Sequence, residues 1–397
     1  MNYDLILLLV FYLFLLLIFK IYRSKFEIQS KVFVLYKTKL GLKLMDKIAK
    51  KIPKTLRVLG TLSIIIGFIG MFLTMFILVQ GTYTLFAKPN APPSLAPVLP
   101  GVQIEGLPHL SFWHWIISIF IVAVVHEFMH GVYSRLSKIK IKSSGFAFLG
   151  PILAAFVEPD EKQLSKAKTK DQLKVLSAGP FANIVLAVFI IIIMLLVINP
   201  VNNHILEVKG LNVAELNSSY PLAVSGIKQG DVITEINGVK LTDVKLLSSS
   251  ISNLRPGEIV KIKTENMSYD VKLGSNPNNS SKGFIGLVAS SYKVGPKDNV
   301  KKNFGWFVPI FSWISLLVFW LFNISLGVGL FNLLPIGPVD GGRMFYSAVL
   351  HFTKDKIKTL RILNIVSIIL IILILINLSP FIIKFFSFLL RPLLALF

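Results

Sequence analysis

Six stretches of this chain are apolar over lengths that suit a lipid-facing helix. They are Leu5 to Phe19, Val58 to Val79, about Leu110 to Ser134, Gly179 to Ile198, Trp306 to Leu334 and Leu360 to Leu378. A hydrocarbon core about 30 Å thick needs roughly 20 helical residues, so each stretch is read as a membrane span. The first is short and is extended by Tyr3 and Tyr22. It opens on Asp4, where a secretory signal would carry positive charge, and is therefore expected to be a retained span. Gly60, Gly67 and Gly70 in the second permit close helix approach. A last apolar stretch, Phe381 to Phe397, is interrupted by Lys384, Arg391 and Pro392, so it crosses, re-enters or lies on the surface. The expected fold class is an α-helical polytopic membrane protein with six or seven spans.

The charge balance agrees with that class. Lysine and arginine number 42 against 20 acids, a net charge of +22, and the cations flank the apolar runs. This is a topogenic pattern, so the lipid bilayer and not nucleic acid is the expected partner of the basic excess. The absence of cysteine excludes disulfides, thiolate metal sites and cysteine nucleophiles, leaving nitrogen and oxygen as metal donors.

Orientation follows from the short loops. Lys20 to Arg57 holds twelve basic residues and two acids, whereas Gln80 to His109 holds one basic residue, Lys88. The first loop is therefore expected inside and the N-terminus outside. Alternation places Arg135 to Lys174 and Gly337 to Lys358 inside and Asn199 to Lys302 outside. The outer loop Pro89 to Pro108 contains six prolines and reads as an extended connection.

The third span carries Val125-His126-Glu127-Phe128-Met129-His130-Gly131. Four-residue spacing sets both imidazoles on one helix face, one turn apart, where they can share a tetrahedral zinc with Glu127 beside them as a general base. Ionisable groups inside a span are costly and mark functional sites. The structural alternative is a polar contact between helices. A catalytic zinc needs a third protein ligand. Asp340, in Asn332-Leu-Leu-Pro-Ile-Gly-Pro-Val-Asp340-Gly-Gly-Arg343, leads because it follows the fifth span directly. A helix-capping role is its structural alternative. Glu158 and Asp160 are weaker candidates, in what reads as a solvated loop. Ser177-Ala-Gly-Pro-Phe-Ala-Asn183 is expected to open the fourth span, with Gly179 and Pro180 at its start and Asn183 a turn inside. By the loop-charge topology, these three segments converge on the cytoplasmic third of the bilayer. His114 is expected in an aromatic belt with Trp113 and Trp115. His109, His204 and His351 read as surface residues.

These segments, in this order and over roughly Leu110 to Arg343, resemble the site-2 protease family of intramembrane zinc metalloproteases. The resemblance implies one zinc ion held by His126, His130 and Asp340, with Glu127 as general base and Asn183 near the substrate. It implies hydrolysis of peptide bonds in or near transmembrane helices of membrane-protein substrates. Pro338-Val-Asp340-Gly341 stands where many members have Pro-Leu-Asp-Gly or Asn-Pro-Asp-Gly, which leaves the aspartate in place.

From Ile205 to Leu273 the chain holds eight acids and eight bases, a balanced segment inside a basic protein and so a separate soluble unit. Asp231-Val-Ile-Thr-Glu-Ile236 alternates, Asn237-Gly238 signals a hairpin turn, and Asp243 to Leu254 suits a short helix. Tyr220 to Gly238 resembles a PDZ domain, which implies a small extracytoplasmic α+β unit with a possible peptide ligand. A steric gate fits equally well. Gly145 to Val157, thirteen residues divided by Gly150-Pro151, is too short to span and reads as a re-entrant hairpin. By the resemblance it would pair with unwound substrate.

The expected organisation is two N-terminal spans with their loops over 1–109, the zinc helix, hairpin and second core span over 110–200, and the PDZ-like domain over 201–300. The third core span and aspartate turn occupy 301–345, and the C-terminal span or spans 346–397. Two other functions use the same residues: a transporter or metal carrier, which would need a polar path through the bilayer, and a non-catalytic PDZ-type scaffold, which would not need Glu127.

Overall fold

The structure is a computed structural model that describes residues 3–22, 26–29, 33–88, 93–104, 106–149, 152–241, 254–277 and 279–394. The chain divides into two compact units, Met1–Met194 with Ser315–Phe397, and Leu195–Ile314.

The first unit contains the membrane helices and begins with α1 (Tyr3–Ile21), whose apolar side chains are mostly exposed. The basic loop that follows is more than a loop. It forms β1 (Glu27–Gln29), β2 (Phe33–Thr38) and the amphipathic helix α2 (Leu42–Lys51) before α3 (Pro53–Ala87). On α3 the buried residues are Leu56, Gly60, Ser63, Gly67, Gly70, Met71, Thr74, Leu78 and Gly81. Their three- and four-residue spacing is one face of a helix, and its small side chains bring neighbours close. The opposite face exposes Val58, Ile65, Ile69, Phe72 and Phe76, as lipid contact requires.

Helix α4 (Phe112–Leu136) is capped by Ser111 and buries Trp115, Ser118, Val122, His126, His130 and Tyr133 along a single stripe. Asp4 reaches its first turn, accepting a hydrogen bond from the Phe112 N–H at 2.8 Å and pairing with His109 Nε2 at 2.6 Å. His109, expected as an unpartnered surface residue, thus has a partner supplied by the first span. His114 is buried, with Nδ1 2.5 Å from Ser111 Oγ.

After α4 the chain forms β3 (Ile141–Leu149) and β4 (Ile152–Pro159), the expected hairpin with longer arms. It is not isolated: β1, β2, β3 and β4 make one antiparallel sheet in that order, with Lys37 opposite Gly145 and Ser144 opposite Val157. Lysines around β2 obscure it in the sequence, yet Lys37 is satisfied by Glu27 at 2.7 Å and Glu158 at 3.6 Å. Glu158 therefore lies on β4, not in a solvated loop. Asp160 caps α5 (Glu161–Lys166) through the Gln163 N–H.

Helix α6 (Thr169–Ile193) starts well before Gly179 and Pro180, so these residues sit inside it and do not open it. Ten consecutive residues, Lys174 to Asn183, are buried, and this all-round burial selects the small Ser-Ala-Gly-Pro run. Helix packing on both sides outweighs the helix-start preference of Gly-Pro. A π-helical turn (Met194–Ile198) and α7 (Asn199–Ile205) continue α6 into the second unit.

That unit is the PDZ-like domain. It contains β5 (Leu206–Leu216), α8 (Pro221–Val224), β6 (Val232–Ile236), β7 (Val239–Lys240), β8 (Ile259–Thr264), β9 (Ser268–Lys272), β10 (Gly274–Asn276), β11 (Asn279–Phe284) and β12 (Leu287–Pro296). Its main sheet runs β12-β5-β6-β8-β9, with β7 paired to β6 and a separate β10-β11 hairpin. Asn237 and Gly238 both have positive φ, +49° and +80°, the hairpin geometry that Asn-Gly favours. Strand β8 alternates exposed and buried residues and sends Val260 and Ile262 into a core with Leu211, Val213, Ile233 and Val271. Strand β12 returns to pair with β5, so the domain extends past the charge-balanced segment that ends at Leu273. The helix expected from Asp243 lies outside the described residues.

The chain returns through α9 (Asp298–Phe304) to α10 (Phe307–Phe331), α11 (Asp340–Thr353) and α12 (Lys356–Leu394). Six helices are long and apolar enough to cross a membrane among the described residues. The Phe381 stretch adds no seventh, because α12 runs through Pro380 as one helix.

Candidate metal centre

The centre lies where α4, α6 and the start of α11 meet. On α4, His126 and His130 project from the buried stripe one turn apart. Asp340 depends on a sharp stop at the end of α10, where Pro335 and Pro338 cannot continue a helix. The chain then turns back on itself: the Gly341 N–H donates to Asn332 O at 2.7 Å and the Gly337 N–H to Ser367 Oγ on α12 at 3.2 Å. A Cβ at Gly341 would overlap the Leu333 carbonyl, so the turn closes only with glycine there. Leu333 packs with Met71, Leu176 and Met344, tying the turn to α3, α6 and α11.

Three donor atoms then converge. His126 Nε2 is 3.0 Å and His130 Nε2 3.1 Å from Asp340 Oδ2, and the two imidazole nitrogens are 3.1 Å apart. A tetrahedral ion bound at about 2.0 to 2.1 Å from each donor would set the donors about 3.3 Å apart, so the triangle fits a zinc-sized ion. Both histidines are buried.

The ring nitrogens facing away are held too. His130 Nδ1 donates to Val175 O at 2.7 Å, one residue before Leu176, whose carbonyl loses its helical donor because Pro180 has no N–H. His126 Nδ1 lies 3.0 Å from the Asn183 side-chain amide, and Asn183 Oδ1 is buried with no partner. The two ends of an amide are alike in shape, and turning this one over lets Oδ1 accept from Nδ1–H. Both Nε2 lone pairs then face the centre, as a metal site requires. Asn183, expected near substrate, is fully buried behind His126, and Ser325 Oγ donates to its backbone carbonyl at 2.8 Å. Gly179 closes the floor: a Cβ there would come within 2.6 Å of His126 Nε2 and closer still to His130 Nε2. The space an ion needs exists because residue 179 has no side chain.

Glu127, between the two histidines in sequence, also reaches the sheet. Its Oε2 accepts the Val157 N–H at 2.9 Å. Val157 is on β4, the outermost strand of its sheet, so this N–H is on the open edge. Between Glu127 and the hairpin is a cavity of about 110 Å³, lined also by Val124, Phe128, Phe146, Ala155 and Val157. Val157 and Val175 are contributors that residue reading passed over, and Gly179 was read as part of a helix start and not as the floor of the centre. Gly179 was legible within its motif, whereas the Val157 and Val175 groups are backbone atoms that no side-chain pattern reports.

The ligand assignment has a direct test. Asp340→Ala should lose stoichiometric metal on mild dialysis, measured by elemental analysis of the purified protein. Glu158→Ala and Asp160→Ala should retain it, because Glu158 accepts from Ser143 Oγ at 2.7 Å and Asp160 caps α5.

The six spanning helices and the buried His126, His130 and Asp340 group beside Glu127 describe a multi-pass membrane protein with a candidate metal centre. The model of peptidase family M50 matches residues 114–377, and the chain belongs to that family, which contains the site-2 proteases. The chain is 32% identical over 316 residues to an uncharacterised protein of Methanocaldococcus jannaschii, covering 78% of this chain and 76% of that one. It is 23% identical over 267 residues to the zinc metalloprotease RasP of Geobacillus kaustophilus, covering 55% of this chain and 61% of the relative. Among solved structures, the PDZ domain of an SdrC-like protein from Listeria innocua matches at 27% identity and a TM-score of 0.18, covering 20% of this chain and 91% of the domain.

Proposed function

We propose that this protein is an intramembrane zinc protease that hydrolyses peptide bonds in or near the transmembrane helices of membrane-protein substrates. The observation that carries the reading is the junction at Glu127: one residue from a ligand, its carboxylate touches the open edge of β4. His126, His130 and Asp340 would hold the zinc ion, which when bound supplies Lewis acidity to the scissile carbonyl and lowers the pKa of water. Glu127 accepts the proton of the attacking water and delivers it to the leaving amine. His130 is kept in register by Val175 O and His126 by Asn183, so neither ring rotates away from its ligand position.

The sheet explains how a helical substrate becomes cleavable. A helix hides its carbonyls in its own hydrogen bonds, so it must unwind, and an unwound segment needs new partners inside the membrane. Strand β4 offers them by strand addition along the edge where Val157 meets Glu127. The N-terminus and the PDZ-like unit lie outside and the metal centre near the cytoplasmic side, a sidedness supported by the basic residues of the β1 to α2 segment. The PDZ-like unit meets the outer part of the substrate, as a size filter or by binding an extended peptide.

The test is purification in detergent and incubation with a panel of single-span proteins, with cut sites mapped by mass spectrometry. Cleavage within or beside the span, lost on chelation and restored by zinc, is the expected result. Cuts confined to soluble tails, or insensitive to chelation, would refute the reading.

A further inference from the structure

Helix α2 has a surface that the catalytic reading does not use. Its buried side consists of Met45 and Ala49, flanked by the half-buried Leu42 and Ile48. Lys43, Lys47, Lys50 and Lys51 fall within about 100° of helix circumference on the other side, and all four are exposed. Among the described residues none of the four forms an ion pair, although Asp46 on the same helix pairs with Arg135 at 3.0 Å. Large apolar side chains border the lysines: Leu40 is 74% exposed, Leu44 51% and Ile52 42%. Cations beside exposed leucine and isoleucine are poorly matched to water alone and well matched to the headgroup region of a bilayer.

Two further facts fix this surface in place. Only Ile52 separates the end of α2 from the start of α3, a membrane span, so the last turn of α2 adjoins the point where the chain enters a spanning helix. Its inner side is clamped to α4: a Cβ on Gly131, the residue after His130, would come within 2.9 Å of Met45 Cε, and Arg135 holds Asp46. The lysines therefore stand on a rigid helix and not on a loose tail.

We infer that α2 is an interfacial helix that docks on anionic lipid headgroups through Lys43, Lys47, Lys50 and Lys51, with Leu44 entering the headgroup boundary. The surface favours a lipid sheet over a folded acidic protein because the exposed Leu44 borders the charges on the helix surface and the helix adjoins a span. The inference stands on α2 and is independent of proteolysis.

The chain has no cysteine, so Leu44→Cys accepts a single bimane label in the full-length protein. The labelled protein is placed in nanodiscs of phosphatidylcholine alone or with about one third phosphatidylglycerol and quenched with acrylamide, which is uncharged. Each lysine near an anionic surface contributes about fivefold in local partition, so four of them should hold the helix on phosphatidylglycerol discs and lower the acrylamide quenching constant relative to phosphatidylcholine alone. Replacing the four lysines by glutamine should erase the difference, replacing them by arginine should keep it, and Lys354→Gln with Lys356→Gln and Lys358→Gln should leave it unchanged. Equal quenching in the two disc types would overturn the inference, as would a persistent response in the glutamine variant. So would full protection in neutral discs by millimolar inorganic phosphate or by polyglutamate, which would assign the surface to a free anion or to an acidic protein.

Discussion

Glu127→Gln should abolish cleavage while the protein keeps its metal. The substitution preserves side-chain shape and leaves the His126, His130 and Asp340 donors untouched. It removes the carboxylate that takes the water proton, and the loss of a general base costs about 10² to 10⁴ in rate. The glutamine oxygen can still accept the Val157 N–H, so the contact to β4 survives and the fold is not perturbed. Single-turnover cleavage together with metal analysis measures both halves of the expectation. A variant that cuts at the wild-type rate would remove Glu127 from the mechanism. Val157→Pro is the informative companion. It deletes the N–H that holds the carboxylate, at an edge position where proline is tolerated in a strand, and should slow cleavage about tenfold or more with metal content unchanged.

Gly179→Ala should remove metal and activity together. The added methyl group would sit within 2.6 Å of His126 Nε2 and nearer still to His130 Nε2, in the place the ion must occupy. Relaxation is blocked on every side. Residues 174 to 183 are all buried, Ser177 Oγ lies 2.7 Å from Ser63 Oγ on α3, and His130 is tethered to Val175 O. Overpacking a tight site costs about 1 to 3 kcal/mol in stability, a loss that a protein of this size can survive. The decisive measurement is metal stoichiometry in protein that still elutes as a single folded species. Ala178→Gly, one residue away, should retain the ion. Normal metal content in Gly179→Ala would mean that the helices separate more readily than their packing indicates.

Legibility followed the range of each interaction. The spans and the His126 to His130 spacing could be read directly, because they depend only on hydropathy and on 3.6 residues per turn. The Asn237-Gly238 hairpin was equally local, since it rests on which residues accept positive φ. The position of Ser177 to Asn183 was misjudged, because Gly-Pro commonly marks a helix start and here stands in mid-helix. Nothing local to that segment reports that α3, α4 and α11 pack around it.

What the sequence by itself determined is the class of the chain and its chemistry: a membrane-spanning scaffold, a histidine pair with an acid between, and no thiol to compete for an ion. Only the tertiary structure brought the carboxylate of Asp340, which the sequence ranked ahead of Glu158 and Asp160, to the histidine pair. It also enlisted β2 from the basic segment into the hairpin sheet, set Val175 O and Asn183 behind the ligands, and turned Glu127 onto β4. Each of these is a contact across tens to hundreds of residues, most of them made by backbone atoms that every residue carries. Sequence periodicity cannot encode such pairings, because what selects them is the closeness of approach that packed helices and a shared sheet impose.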